Sequence, residues 1–312
     1  MKVNWQGVYP AITTAFTPED TLDIPMFQKN LQAQLKAGVD GIILGGSLGE
    51  ASSLTNEEKF ELVAVTMEAC QGKTPVIINI AESTTRAAVE LAEQAEAAGA
   101  DGLMMLPPMR YKSTDEETMV FFETIAESTG LPIMIYNNPV DYKIMVTLDM
   151  FERLLKKDNI QAVKESTRDV TNVTRIRNRF GTRMKIMCGV DTLAMEELVL
   201  GADGWVAGLV DAFPAETVAI YRLTKAGRLG EARSIYRWFM PLLELDISPQ
   251  LVQNIKLASV YTGIGSEYVR APRLPLMGQS RQEVIQIIES ALADRPVLPD
   301  YLSIDVKKNN RK

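Results

Sequence analysis

The sequence has no histidine among its 312 residues and only two cysteines, Cys70 and Cys188. Without imidazole, Ser-His-Asp and Cys-His nucleophile pairs, His-based zinc sites and a histidine general base are all excluded. Proton chemistry therefore falls to lysine, tyrosine or carboxylates. Two isolated cysteines supply neither metal-ligand spacing nor a disulfide framework, as a reducing cytoplasm permits. Long apolar runs are absent, and Met1 to Gly7 lacks the charged and then apolar regions of a signal peptide, so a soluble cytoplasmic protein is expected. Positive charge is in deficit, with 33 basic against 40 acidic residues, and no overall field favours nucleic acid or an anionic membrane.

What is present is a globular composition, arranged as an alternation. Eight short apolar segments of strand length recur: Val8 to Phe16, Gly41 to Gly46, Pro75 to Ile80, Gly102 to Leu106, Pro132 to Asn137, Ile160 to Ser166, Met184 to Cys188 and Gly204 to Leu209. Amphipathic helical patterns lie between them, including Met26 to Ala37, Glu57 to Ala69, Thr85 to Ala98, Glu116 to Glu127 and Leu148 to Lys156. Gly38, Gly72, Gly99 and Gly130 are placed to close helices in the left-handed region, and Thr55 to Glu58 reads as a capping box. Eight strand-helix units match the arithmetic of a parallel (β/α)8 TIM barrel. A doubly wound open sheet is the alternative, without a dinucleotide or phosphate-binding glycine motif to support it. Beyond Gly208 the pattern is helical, so the expected division is a barrel over 1–227, a C-terminal helical extension over 228–298 and a frayed tail over 299–312.

In such a barrel, chemistry gathers where strands end. Period-two alternation puts Lys164 on one face with Ile160, Ala162 and Ser166. A lysine in apolar company has its pKa lowered and becomes an amine nucleophile toward carbonyls and imines; the plainer reading is a strand-end lysine that reaches solvent or pairs with Glu165. Tyr136 ends another strand, either as a proton carrier or as a buried phenol with a satisfied hydroxyl. Gly45 to Gly49, with the Ser47 hydroxyl, forms a nest for a carboxylate or an ordinary tight turn.

Gly46-Ser47-Leu48-Gly49-Glu50, Tyr136-Asn137-Asn138-Pro139, Lys164-Glu165-Ser166 and Gly189-Val190-Asp191 occur in the order and spacing of the dihydrodipicolinate synthase and N-acetylneuraminate lyase superfamily, which the chain resembles over about 5–298. The resemblance implies a barrel with a C-terminal helical extension and a homotetramer. It further implies a Schiff base between Lys164 and a 2-oxo acid or its imine, proton transfer by Tyr136, and a substrate carboxylate held by Ser47 and nearby amides. No metal or organic cofactor is implied, because the lysine imine is the electron sink. Leu48, Gly189 and Gly208 are candidate substrate contacts, and Ser166 and Asp191 are candidates to bond a substrate hydroxyl or water.

Departures from the family pattern bear on the substrate. Dihydrodipicolinate synthases carry an arginine for the second substrate's carboxylate where this chain has Asp141. They carry two threonines where this chain has Ser47-Leu48, and a relay tyrosine where Pro107-Pro108-Met109-Arg110-Tyr111 puts Met109. Sialic acid lyases need polar groups for a polyol tail, whereas Trp205 to Val210 is largely apolar. The glycine-rich and Tyr-Asn-Asn-Pro segments look most like the 1-pyrroline-4-hydroxy-2-carboxylate deaminases of hydroxyproline degradation. That resemblance implies ring opening on Lys164, loss of the 4-hydroxyl, and release of ammonia and 2,5-dioxopentanoate. The alternatives are a 2-keto-3-deoxy sugar acid aldolase or dehydratase, a 4-hydroxy-tetrahydrodipicolinate synthase, and a catalytically silent ligand-binding member.

Overall fold

A computed structural model describes residues 3–108 and 111–306. Its eight strands are β1 Gly7–Pro10, β2 Ile42–Leu44, β3 Val76–Ile80, β4 Gly102–Met105, β5 Ile133–Asn137, β6 Ile160–Glu165, β7 Lys185–Cys188 and β8 Gly204–Ala207. Each neighbouring pair is parallel, in the order β1-β8-β7-β6-β5-β4-β3-β2. The ring closes through the parallel bridge between Ala11 and Ile43. This is the (β/α)8 barrel that the alternation predicts, and the strands are apolar on both faces because helices cover their outer side.

Every expected strand forms, most of them shorter by a residue or two. The first is cut most, ending at Pro10 rather than Phe16. Past Ala11 and Ile12 the backbone leaves the ladder for other partners: Thr13 N donates to Asp211 Oδ2 at 2.9 Å and Thr14 Oγ1 to Gly49 O at 2.7 Å. The Thr55 capping box is present, with Glu58 N donating to Thr55 Oγ1 and Thr55 N to Glu58 Oε2. Gly38 caps its helix at φ 82°, but Gly130 does not adopt a left-handed conformation. The helix Asp115–Glu127 ends on Ser128 instead, whose hydroxyl donates to Ile125 O.

Two further helices, Thr171–Phe180 and Ala194–Val199, escape the periodicity. The first buries only Val173 and Ile176 beneath a basic surface, too narrow an apolar stripe to register. After β8 come helices Pro214–Lys225, Leu229–Leu243, Leu251–Tyr261 and Gly278–Ala293. The tail expected to fray from 299 is ordered through 306. A turn at Tyr301–Ser303 is tied down by Arg222, whose Nη1 donates to Leu302 O at 2.9 Å. Residues 307–312 lie outside the described residues. Among those described, no helix is long and apolar enough to cross a membrane.

The C-terminal helices are fastened to the loop after β2. Glu50, fully buried and left-handed at φ 53°, forms an ion pair with Lys256 of the helix Leu251–Tyr261. Its Oε2 accepts from Arg270 N at 3.1 Å, and Lys256 Nζ also donates to Tyr268 O at 2.6 Å. Burial holds the Lys256 pKa down at about 8.

Candidate active site

The pairing of β5 with β6 sets Tyr136 directly beside Lys164. The Lys164 ammonium nitrogen lies 4.0 Å from the centre of the Tyr136 ring, and both side chains are buried. Glu165, the partner considered from sequence, faces the other way and accepts from Thr167 N and Asn172 Nδ2, each at 2.8 Å. Lys164 forms no ion pair among the described residues. Burial lowers its pKa, opposed in part by Tyr142, Asp246, Asp191 and Cys188, so the balance moves toward the neutral, nucleophilic amine.

Burial pushes the Tyr136 phenol up to about 12, while Asn138 Nδ2, donating to its oxygen at 3.2 Å, and nearby Ser166 pull it back. The phenol is thus protonated at rest. Tyr142 stands edge-on to it, ring centres 5.5 Å apart, and its hydroxyl hydrogen-bonds Ser47 Oγ at 2.9 Å. Lys164, Tyr136, Tyr142 and Ser47 therefore form one contiguous group built from three strand ends.

They line a cavity of about 90 Å³ with Leu48, Ser166, Gly189 and Gly208. Ser166 Oγ has no hydrogen bond of its own. Gly189 is a spacing requirement: a Cβ there would sit 2.1 Å from Ser166 Oγ and 2.7 Å from Lys164 Cγ. Leu48 supplies apolar wall. Among the described residues, the backbone N–H groups of Ser47 and Leu48 donate no hydrogen bond within the chain, which leaves them available to an anion.

Asp191 does not reach the cavity. Its carboxylate accepts from Trp205 Nε1 at 2.8 Å, Leu209 N at 2.8 Å and Gly208 N at 3.2 Å. It fixes the backbone after β8 instead of offering an oxygen to a hydroxyl. Met109 lies outside the described residues.

Three wall groups escape sequence reasoning: Tyr142, Arg168 and Asp246. Tyr142 had a signal, since it ends the four-residue helical turn Pro139–Tyr142 just after the Tyr-Asn-Asn-Pro segment. Arg168 adopts φ 63°, a left-handed conformation uncommon for a side chain of its size, and is exposed at the cavity rim. Asp246 comes from the C-terminal extension, and nothing in its local sequence points to a site in the barrel.

A model of the dihydrodipicolinate synthetase family matches residues 4–291. The chain belongs to this family. Family members use a lysine Schiff base with no external cofactor. Within the family, the 4-hydroxy-tetrahydrodipicolinate synthase of Exiguobacterium sibiricum is 30% identical over 286 residues, covering 92% of this chain and 97% of that protein. The chloride-inhibited dihydrodipicolinate synthase of Acinetobacter baumannii, solved with pyruvate, superposes with a TM-score of 0.88 at 25% identity, covering 92% of this chain and 99% of the other. A monomeric dihydrodipicolinate synthase variant gives 0.86 at 25%, covering 93% and 96%. These family names agree with the synthase alternative rather than with the deaminase branch.

Proposed function

We propose that the protein is a Schiff-base deaminase that converts 1-pyrroline-4-hydroxy-2-carboxylate to 2,5-dioxopentanoate and ammonia. The observation that carries this reading is Asp141. It stands on the cavity wall, its Oδ2 accepting from Asn138 Nδ2 at 2.7 Å, where a synthase would present an arginine to a second carboxylate. An acid at this position repels a second carboxylate instead of pairing with it, so the small cavity favours one compact monocarboxylate over two acidic substrates.

In this reading the neutral Lys164 amine attacks C2 of the ring imine. The C2–N1 bond breaks, N1 leaves as a primary amine with a proton relayed by Tyr136, and Lys164 holds C2 as an imine. Ser47 and the free loop amides hold the carboxylate. Loss of a C3 proton gives the enamine, whose electrons expel the 4-hydroxyl as water. A proton shift from C5 to C3 then gives the C4–C5 enamine, which becomes the C5 imine as an N1 proton moves to C4, and two hydrolyses release ammonia and the 2-oxo acid. One water leaves and two enter.

The synthase reading is favoured by the names of the relatives and by Arg168, a cation at the rim. A single comparison separates the two. The expected result is ammonia released in equal amount to the pyrroline consumed, with no pyruvate formed from 2-keto-3-deoxy sugar acids. Consumption of pyruvate with an amino acid semialdehyde, and no ammonia from the pyrroline, would overturn the deaminase reading.

The proposal includes a cytoplasmic homotetramer. The two cysteines are buried and unpaired, which a reducing compartment allows. Sedimentation equilibrium is expected to give four times the chain mass; a monomer at micromolar concentration would refute that part.

A further inference from the structure

We propose that Asp246 is the acid that protonates the departing 4-hydroxyl, so that the C-terminal extension supplies a catalytic group to the barrel. The inference rests on the deaminase reading above and adds a residue for its elimination step.

Asp246 lies in the turn Glu244–Ile247, directly after the helix Leu229–Leu243, and enters the wall of the Lys164 cavity beside Gly208, the residue that follows β8. Its carboxyl makes no hydrogen bond or ion pair among the described residues. The other acidic and phenolic wall groups are occupied: Asp141 by Asn138, Tyr136 by Asn138, and Tyr142 by Ser47. Asp246 is thus the wall acid free to meet a substrate atom.

Its position is defined by the backbone it rests on. A Cβ added at Gly208 would stand 2.5 Å from Asp246 Oδ1, so glycine alone leaves room for the carboxyl. Asp191 in turn holds Gly208 N and Leu209 N. Asp191 is therefore a positioning residue for this arrangement.

Charge favours the acid form. Burial and neighbouring Asp191 raise the Asp246 pKa well above the usual carboxylate range, with Asp141 adding to the rise and Lys164 and Arg168 opposing it. Asp246 in turn raises Tyr136 and Asp211. The same desolvation that shifts Lys164 toward its neutral amine shifts Asp246 toward its protonated acid, and the two line one cavity without forming an ion pair.

Chemistry requires such a donor. Hydroxide is a poor leaving group, and Lys164 and Tyr136 are committed to the C2 and N1 end of the substrate. As the enamine nitrogen's electrons re-form the C2 imine, the C2–C3 π pair becomes the C3–C4 double bond and the C4–O bond breaks. The oxygen takes the Asp246 proton and leaves as water, and the carboxylate regains a proton from solvent after product release.

The test compares wild type with Asp246→Asn and Gly208→Ala, using the hydroxy-pyrroline and its 4-fluoro analogue, whose leaving group needs no proton. For Asp246→Asn, kcat on the hydroxy substrate is expected to fall by roughly 10²–10³-fold. The fluoro analogue is expected to shrink that defect at least about tenfold, as loss of a general acid requires. Borohydride is expected to trap pyruvate on Lys164 in both variants, and the pyrroline adduct trapped in Asp246→Asn should retain the hydroxyl. Equal defects on the two leaving groups, near-wild-type turnover of the hydroxy substrate, or loss of pyruvate trapping in Asp246→Asn would each overturn the proposal. If wild type itself releases no ammonia from the pyrroline, the deaminase reading fails, independently of what Asp246 does.

Discussion

Lys164→Ala is expected to abolish turnover, by on the order of 10⁴-fold or more and so about 5 kcal/mol of barrier. It should also remove the borohydride-trapped adduct seen by peptide mass analysis. Turnover persisting within tenfold of wild type, or an adduct on another lysine, would overturn the Schiff-base assignment. Folding is expected to survive, because the side chain contributes no ion pair. The sign of its pH linkage follows from the lowered pKa. A lysine depressed in the folded state imposes a charge-burial cost below its folded pKa, and the cost disappears as pH rises through the unfolded value of about 10.4. Wild type should therefore gain stability relative to Lys164→Ala as pH climbs toward that value, measured as the difference in denaturation midpoints.

Tyr136→Phe keeps the ring beneath the Lys164 nitrogen and removes only the hydroxyl. Turnover is expected to fall toward the upper end of the roughly 10²–10⁴-fold typical of a lost acid-base group. Lys164 should still form a trapped adduct with pyruvate, more slowly. The phenol is replaceable in adduct formation by water but not in the timed proton delivery to N1. A tenfold or smaller loss in kcat would reassign Tyr136 to packing, its Asn138 hydrogen bond being then its whole purpose. Because the phenol is held up near 12, the profile between pH 5 and 8 should not carry a tyrosine ionisation, and no histidine exists to supply one.

The barrel was legible because its strands are short apolar runs at a regular spacing, a pattern that survives errors of two residues at each end. Lys164 and Tyr136 were legible for a related reason: each is a polar residue closing an apolar strand, and parallel register then places them side by side. Asp191 misled because a carboxylate beside a strand end offers the same letters whether it faces the cavity or the backbone; here Trp205 Nε1 and two amides claim it. Asp246 and the left-handed Arg168 were illegible. Their place in the wall depends on contacts between segments distant in sequence, which no local periodicity records. Gly189 was visible as a motif letter, yet its purpose, clearance for Ser166 and Lys164, exists only in three dimensions.

The Glu50 to Lys256 pair ties the substrate-facing loop after β2 to a helix some two hundred positions later. Recombination between relatives therefore has an unsuitable crossover point at the end of the barrel. A chimera that takes its extension from another parent keeps a working loop only if that parent also brings a cation to meet Glu50. Removing one member of a buried pair leaves the other uncompensated, at about 3–5 kcal/mol. The loop and the extension are thus inherited as one piece, although the chain writes them far apart.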